Sequence, residues 1–123
     1  MSSRRRAVGQ KGEQVAALYL QRLGYEILER NLRTRQGEID LIALDQQVLV
    51  FVEVRTRTTA AFGSPAESVD WRKQKKLREL ALAYLQRQAR RIPAFRFDVI
   101  AITCPTISAD EDQLKIEHVK HAF

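Results

Sequence analysis

Apolar positions recur at helical spacing near the start of the chain. Ala16, Leu20 and Leu23 stand at i, i+4 and i+7, and Gly24 follows as a stop signal. This spacing predicts a helix over 9–23. A short, weakly alternating stretch over 25–32 predicts a strand. The strongest strand signals, 37–44 and 48–57, are rich in Val, Ile and Leu and flank the polar turn Asp45-Gln46-Gln47. A loop over 58–63 leads into Ser64-Pro65-Ala66-Glu67. There Ser would cap a helix, Pro fits its first position and Glu completes a capping box. The helix so opened is expected to run to about Arg90, with Leu77, Leu80, Ala81, Tyr84 and Leu85 on one face. Strands over 95–103 and 114–119, the second at an edge, are separated by a polar loop at 108–112. The order α-β-β-β-α-β-β, with no repeat and no low-complexity linker, predicts an α/β domain whose mixed central sheet is flanked by helices.

Composition narrows the picture. A length of 123 residues suits a single domain over 1–123, and 45% hydrophobic residues suffice for a core. Residues 1–8, with Arg4-Arg5-Arg6, are expected to form a flexible basic arm that adds non-specific affinity. The 21 basic and 15 acidic residues leave a net charge of +6. That excess favours a polyanionic partner, although simple solubility would account for it equally. A single cysteine, Cys104, excludes an internal disulfide and a cysteine zinc site, which fits a reducing cytoplasm. No apolar run approaches the roughly 18 residues of a membrane span, and the start lacks the apolar segment of a secretory signal. A cytoplasmic protein without a membrane partner is expected.

The stretch QGEIDLIALDQQVLVFVEVRTR, 36–57, carries the candidate chemistry. Glu38, Asp40 and Glu53 interrupt its apolar runs, and a carboxylate within a strand is disfavoured unless something pairs with it. If Gln46 and Gln47 form the tip of a hairpin and Asp45 pairs with Val48, Asp40 lies opposite Glu53. A loop one residue longer or shorter would set Asp40 against Val52 or Val54 instead. Opposed cross-strand residues have Cβ atoms about 5 Å apart, where like charges repel. A divalent cation removes that repulsion, and Mg²⁺ is commonly held by one or two carboxylates plus phosphate oxygens. Glu13 precedes Ala16 and Ala17 on the first helix and puts a third acid at the edge of a core-facing surface. Taken alone, it reads as a carboxylate favoured by the helix N-terminal dipole.

Gly9, Gly12-Glu13, Gly24-Tyr25, Asn31, Gly37-Glu38-Ile39-Asp40-Leu41-Ile42, Val50-Phe51-Val52-Glu53-Val54 and Arg96-Phe97-Asp98-Val99 together resemble the YraN-like family of small bacterial proteins. That family is similar to the PD-(D/E)XK nuclease superfamily, especially archaeal-type Holliday junction resolvases. The resemblance runs along nearly the whole chain. It implies a restriction-endonuclease-like single domain acting on DNA, with Mg²⁺ or Mn²⁺ as cofactor. It also implies Asp40 and Glu53 as the motif acids, with Glu13 as a third metal ligand. Arg55 stands where the motif has lysine, and Ile39 where it has proline. Arginine stays protonated and cannot be a general base, but it can hold a phosphate and stabilise charge at phosphorus.

Arg33, Arg35, Arg55 and Arg57 bracket the acidic strands, a layout suited to a phosphodiester around a metal. Lys73 and Lys76, four residues before Leu77 and Leu80, are candidates to reach over the sheet toward a phosphate; a solvated face explains RKQKK equally. Glu38 is expected beside Asp40, further from Glu53. Asp98 is expected to hydrogen-bond a neighbour in the core, and Trp71 and Phe62 to pack rather than stack on bases. His118 and His121 are expected at the surface without a role. Two readings follow. One is a metal-dependent nuclease for branched or structured DNA, with Asp40, Glu53 and Arg55 catalytic; junction cutting would require two sites and hence a homodimer. The other is a nucleic-acid-binding module that keeps the fold without efficient catalysis.

Overall fold

The computed structural model describes residues 3–59, 64–89, 91–106 and 108–123. In chain order the elements are α1 (Ser3–Arg22), β1 (Glu26–Thr34), β2 (Gly37–Asp45), β3 (Val48–Arg57), α2 (Trp71–Gln86), β4 (Ala94–Thr103) and β5 (Lys115–Val119). Short 3-10 turns occur at Pro65–Ser68 and Glu111–Gln113. The strands form one sheet in sequence order, β1-β2-β3-β4-β5. Strand β3 pairs β4 in parallel, and every other neighbouring pair is antiparallel. A parallel step needs a crossover, and α2 supplies it. The result is a mixed α/β sheet in the order α-β-β-β-α-β-β, consistent with a single restriction-endonuclease-like domain.

The two helices cover opposite faces of the sheet. Val8, Ala16, Ala17 and Leu20 of α1 pack on Leu41, Ala43, Val50, Val52, Ile100 and Ile102. Leu77, Leu80 and Ala81 of α2 pack on Ile39, Ile42, Leu49, Phe51, Phe97 and Val99. Strand β3 is central and covered on both sides, which is why its sequence reads as an unbroken apolar run from Val48 to Val52. Its alternation assigns Val50 and Val52 to the α1 side and Leu49 and Phe51 to the α2 side.

Helix α1 begins well before Gly9, so residues 3–8, expected as part of a flexible arm, are helical in backbone. Val8 explains the extension. It lies two turns before Val15 and Ala16 and is buried in the same core. At Gly12 the helix comes so close to β3 that an added Cβ would strike the Thr56 side chain.

The second helix starts later than its capping box suggests. Ser64 makes no side-chain cap, and Pro65–Ser68 is only a 3-10 turn. Val69 then turns extended and buries its side chain, which breaks the helical path. Asp70 caps α2 instead, accepting from the Lys73 N–H at 2.9 Å. The helix ends at Gln86, ahead of the expected Arg90, and both Arg90 and Phe62 lie outside the described residues. Among the described residues no helix is long and apolar enough to cross a membrane.

Candidate functional site

Strands β2 and β3 pair from Asp45↔Val48 to Leu41↔Val52. This is the register that sets Asp40 toward Glu53, and the ladder stops one pair short of them. Beyond it the Asp40 side chain takes over a backbone role: Oδ2 accepts the Val54 N–H at 2.8 Å. The acid is thereby fixed in place at the point where the strands part.

Glu53 follows Val52, which faces α1, so it faces α2. There Lys73 Nζ stands 3.5 Å from Oε2, and the Glu53 side chain is only 8% exposed. Oε2 has no hydrogen-bond partner. Burial first, and the hydrogen bond and charge of Glu53 next, push the Asp40 carboxyl up to about 7, against the opposing effects of the Val54 N–H and Lys73. Two carboxyl groups crowded against each other, one with an oxygen that has Lys73 at ion-pair distance but no hydrogen bond, fit a hard divalent cation that takes one or two carboxylates and completes its shell from water and phosphate.

Glu13 approaches from α1, on the other side of the sheet. It lines a polar cavity of about 340 Å³ with Gln10, Gln14, Arg30, Asn31 and Leu41. Its carboxyl is raised by burial first and then by the charges of Asp40 and Glu38, while Asn31 and Arg33 oppose the rise. Glu13 and Asp40 therefore feel each other. Yet among the described residues no three His, Cys, Asp or Glu side chains stand close enough to hold a metal together. The three acids expected to converge are a close pair with a third at longer range.

The expected cations gather at the same end of the sheet, where β1 ends, β2 begins and β3 ends. Arg33 pairs with Glu38 at 3.7 Å and is otherwise open to solvent. Arg35 lines a cavity of about 280 Å³ between the β1–β2 turn and α2. The Lys76 side chain passes beside Gly37. Arg55 and Arg57 are half-buried, and the Nε atom of each is buried without a hydrogen-bond partner. Lys73, a candidate to face a phosphate or solvent, is held by Glu53.

A second polar group gathers around Asp98. Asp98 is fully buried and is held by Arg96 Nε at 3.0 Å, by His118 Nε2 at 2.7 Å and by the His121 N–H at 3.2 Å. Arg96 also donates to Tyr25 Oη at 2.8 Å and to Asp45 at 3.2 Å, and His118 Nδ1 meets Tyr19 Oη at 3.0 Å. Burial raises the Asp98 carboxyl, but the hydrogen bonds from His118 and Arg96 outweigh it and hold it below the usual range. Asp98 thus has the core partners expected of it, whereas His118, expected at the surface, is 6% exposed at its side chain. The signal was present: Arg96 and Asp98, two apart in a buried strand, share a face and require partners.

Comparison with known proteins places these residues in a family context. Residues 12–102 match the family model described as Uncharacterised protein family UPF0102. The UPF0102 protein of Rhodococcus opacus is 46% identical over 117 residues, covering 95% of this chain and 96% of that protein. The UPF0102 protein of Geobacter sulfurreducens is 45% identical over 122 residues, covering 99% and 92%. That of Desulforamulus reducens is 46% identical over 125 residues, covering the whole of both.

Proposed function

The chain belongs to the family UPF0102, the YraN-like family, and on that footing we propose that it is a Mg²⁺- or Mn²⁺-dependent nuclease acting on branched or structured DNA. The observation that carries this reading is the Asp40–Glu53 pair at the parting of β2 and β3, with the buried Glu53 Oε2 left without a hydrogen bond. A protein that only bound phosphates would gain nothing from crowding two acids at its contact surface.

In this reading Asp40 and Glu53 hold the metal, with Asp40 oriented by the Val54 N–H. A bound Mg²⁺ would supply charge neutralisation at phosphorus and a water of lowered pKa. Arg55 and Arg57 come two and four residues after Glu53 on the same strand. Their guanidinium groups are suited to forking onto phosphate oxygens and stabilising the charge that develops there. Lys73 takes the part that the arginine at 55 cannot. Either cation can orient a water, but only an ammonium beside Glu53 can exchange a proton. Glu13 acts at longer range through its charge on Asp40.

One observation favours the second reading, a nucleic-acid-binding module without efficient catalysis. Lys73 already sets a positive charge beside Glu53. A cleavage screen decides between them, using single-stranded, duplex, flap and four-way DNA with EDTA, Mg²⁺ or Mn²⁺, and Asp40→Ala as control. Metal-dependent cutting that Asp40→Ala abolishes supports the nuclease. Binding without cutting on every substrate supports the module.

A further inference from the structure

Trp71 opens α2 with its indole in solvent. It is 68% exposed and belongs to neither core, contrary to the packing expected of it. Its ring partner is its neighbour Arg72, whose guanidinium lies 5.5 Å from the ring centroid. A single exposed apolar residue is ordinary. The surroundings of this one are not. Asp70 caps the first turn and fixes the backbone beneath the indole. Lys73, two residues on, reaches Glu53 at 3.5 Å, so the indole is rooted in the same helical turn that touches the acid pair. Side chains two apart leave a helix in nearly opposite directions, however, and the indole faces solvent. Arg72, Lys73, Lys75 and Lys76 make the first turn and a half strongly cationic, a field that draws a polyanion.

We propose that Trp71 is a stacking platform for the base of an unpaired nucleotide, on the solvent side of the turn whose Lys73 reaches the acids, while the neighbouring cations hold its phosphates. The inference rests on the nuclease-like reading of the site and deepens it by naming the form of nucleic acid that enters. Within a duplex each base is already stacked on both faces, so an exposed indole gains little there. An unpaired base presents a free π-face, and stacking on it tolerates any sequence. Arg72 strengthens the platform, because a guanidinium over the ring can also contact a phosphate. The substrate so selected is single-stranded or splayed, as at a flap or branch point.

The chain contains one tryptophan, so its emission reports this residue alone. Wild type, Trp71→Ala and Trp71→Phe would be titrated in EDTA at low salt with an end-labelled single-stranded oligonucleotide and with its duplex. Tryptophan emission and label anisotropy would be followed separately. The expected result is saturable quenching by the single strand in step with anisotropy, and duplex binding with little quenching. Trp71→Ala should weaken single-strand binding about 5- to 150-fold, the loss typical of one stacked aromatic. It should leave duplex binding nearly unchanged, and Trp71→Phe should keep most of the affinity. Single-strand binding with unaltered emission, and equal affinity for Trp71→Ala, would overturn the platform while the nucleic-acid reading stands. Absence of anisotropy change in every arm would overturn both.

Discussion

At the scale of the residue, Asp40 makes the sharpest claim, because two demands on it conflict. The Val54 N–H wants an acceptor, and burial beside Glu53 disfavours a second negative charge. With its carboxyl pushed up to about 7, ionisation costs more in the folded chain than in the unfolded one. The stability this group contributes is therefore fully present only below about pH 4 and is lost as pH rises through about 7. Asn at this position keeps an oxygen for Val54 and removes the charge. Melting temperatures in EDTA should thus fall between about pH 4 and about pH 7 for wild type more than for Asp40→Asn, and the mutant should be the more stable at neutral pH. Added Mg²⁺ should raise the neutral-pH melting temperature of wild type and leave the mutant unmoved, since an ion stabilises the state that binds it. If the mutant melts lower at neutral pH and metal moves neither protein, Asp40 is a structural acceptor and the metal site is lost. Asp98, held below the usual carboxylate range, acts with the opposite sign: its contribution is lost only as pH falls below about 4.

At the scale of the element, what the sequence made legible were the patterns that repeat, and what it hid were the contacts between distant elements. Both faces of these strands are covered, so no single apolar face fixes the phase. Apolar runs and the polar turn pointed to β2 and β3, and the two-residue tip Gln46-Gln47 gave the register that the ladder follows. The same logic pointed to Asp40 opposite Glu53. It could not say that the ladder ends there, since strand divergence depends on what packs above and below. The start of α2 was misread because a good capping box yields to Val69, whose side chain is wanted in the core. His118 was misread because its partners, Asp98 and Tyr19, lie 20 and 99 residues away. Two substitutions test these junctions. Gly12→Ala should destabilise by about 1–3 kcal/mol in urea unfolding, through overpacking against Thr56, and lift Glu13 away from the acid pair. A cost near zero would mean that α1 can slide. Arg96→Met should cost about 3–5 kcal/mol, because it leaves the buried Asp98 charge with His118 as its one remaining side-chain partner. Hydrogen exchange should then quicken at β5 and residues 118–123, which the network ties to β4. Unchanged exchange there would show that the chain end is held by packing alone.

At the scale of the molecule, the net charge of +6 matters less than where it lies. Arg33, Arg35, Arg55, Arg57, Lys73 and Lys76 converge on the end of the sheet that carries the acids, whereas Arg96 is spent internally on Asp45 and Asp98. The turn of β2 into β3, at the other end, offers Asp45 and two glutamines, with Arg91 the cation that lines the cavity beside them. A polyanion should therefore dock at one end only. Its affinity should fall steeply with salt, by roughly 0.9 of a log unit per log of salt for each duplex phosphate contacted. Replacing Arg55 and Arg57 by Ala should weaken DNA binding and reduce that slope by about one to two phosphates' worth. Replacing Arg91, which lines a cavity at the opposite end with Gln46 and Gln47, should do neither. The Nε atoms of Arg55 and Arg57 lack partners in the folded chain, so removing them should cost little stability and the comparison reports binding rather than folding. Salt-independent binding, or equal loss from Arg91→Ala, would show that charge is spread without direction and that the acid-bearing end is not where nucleic acid is held.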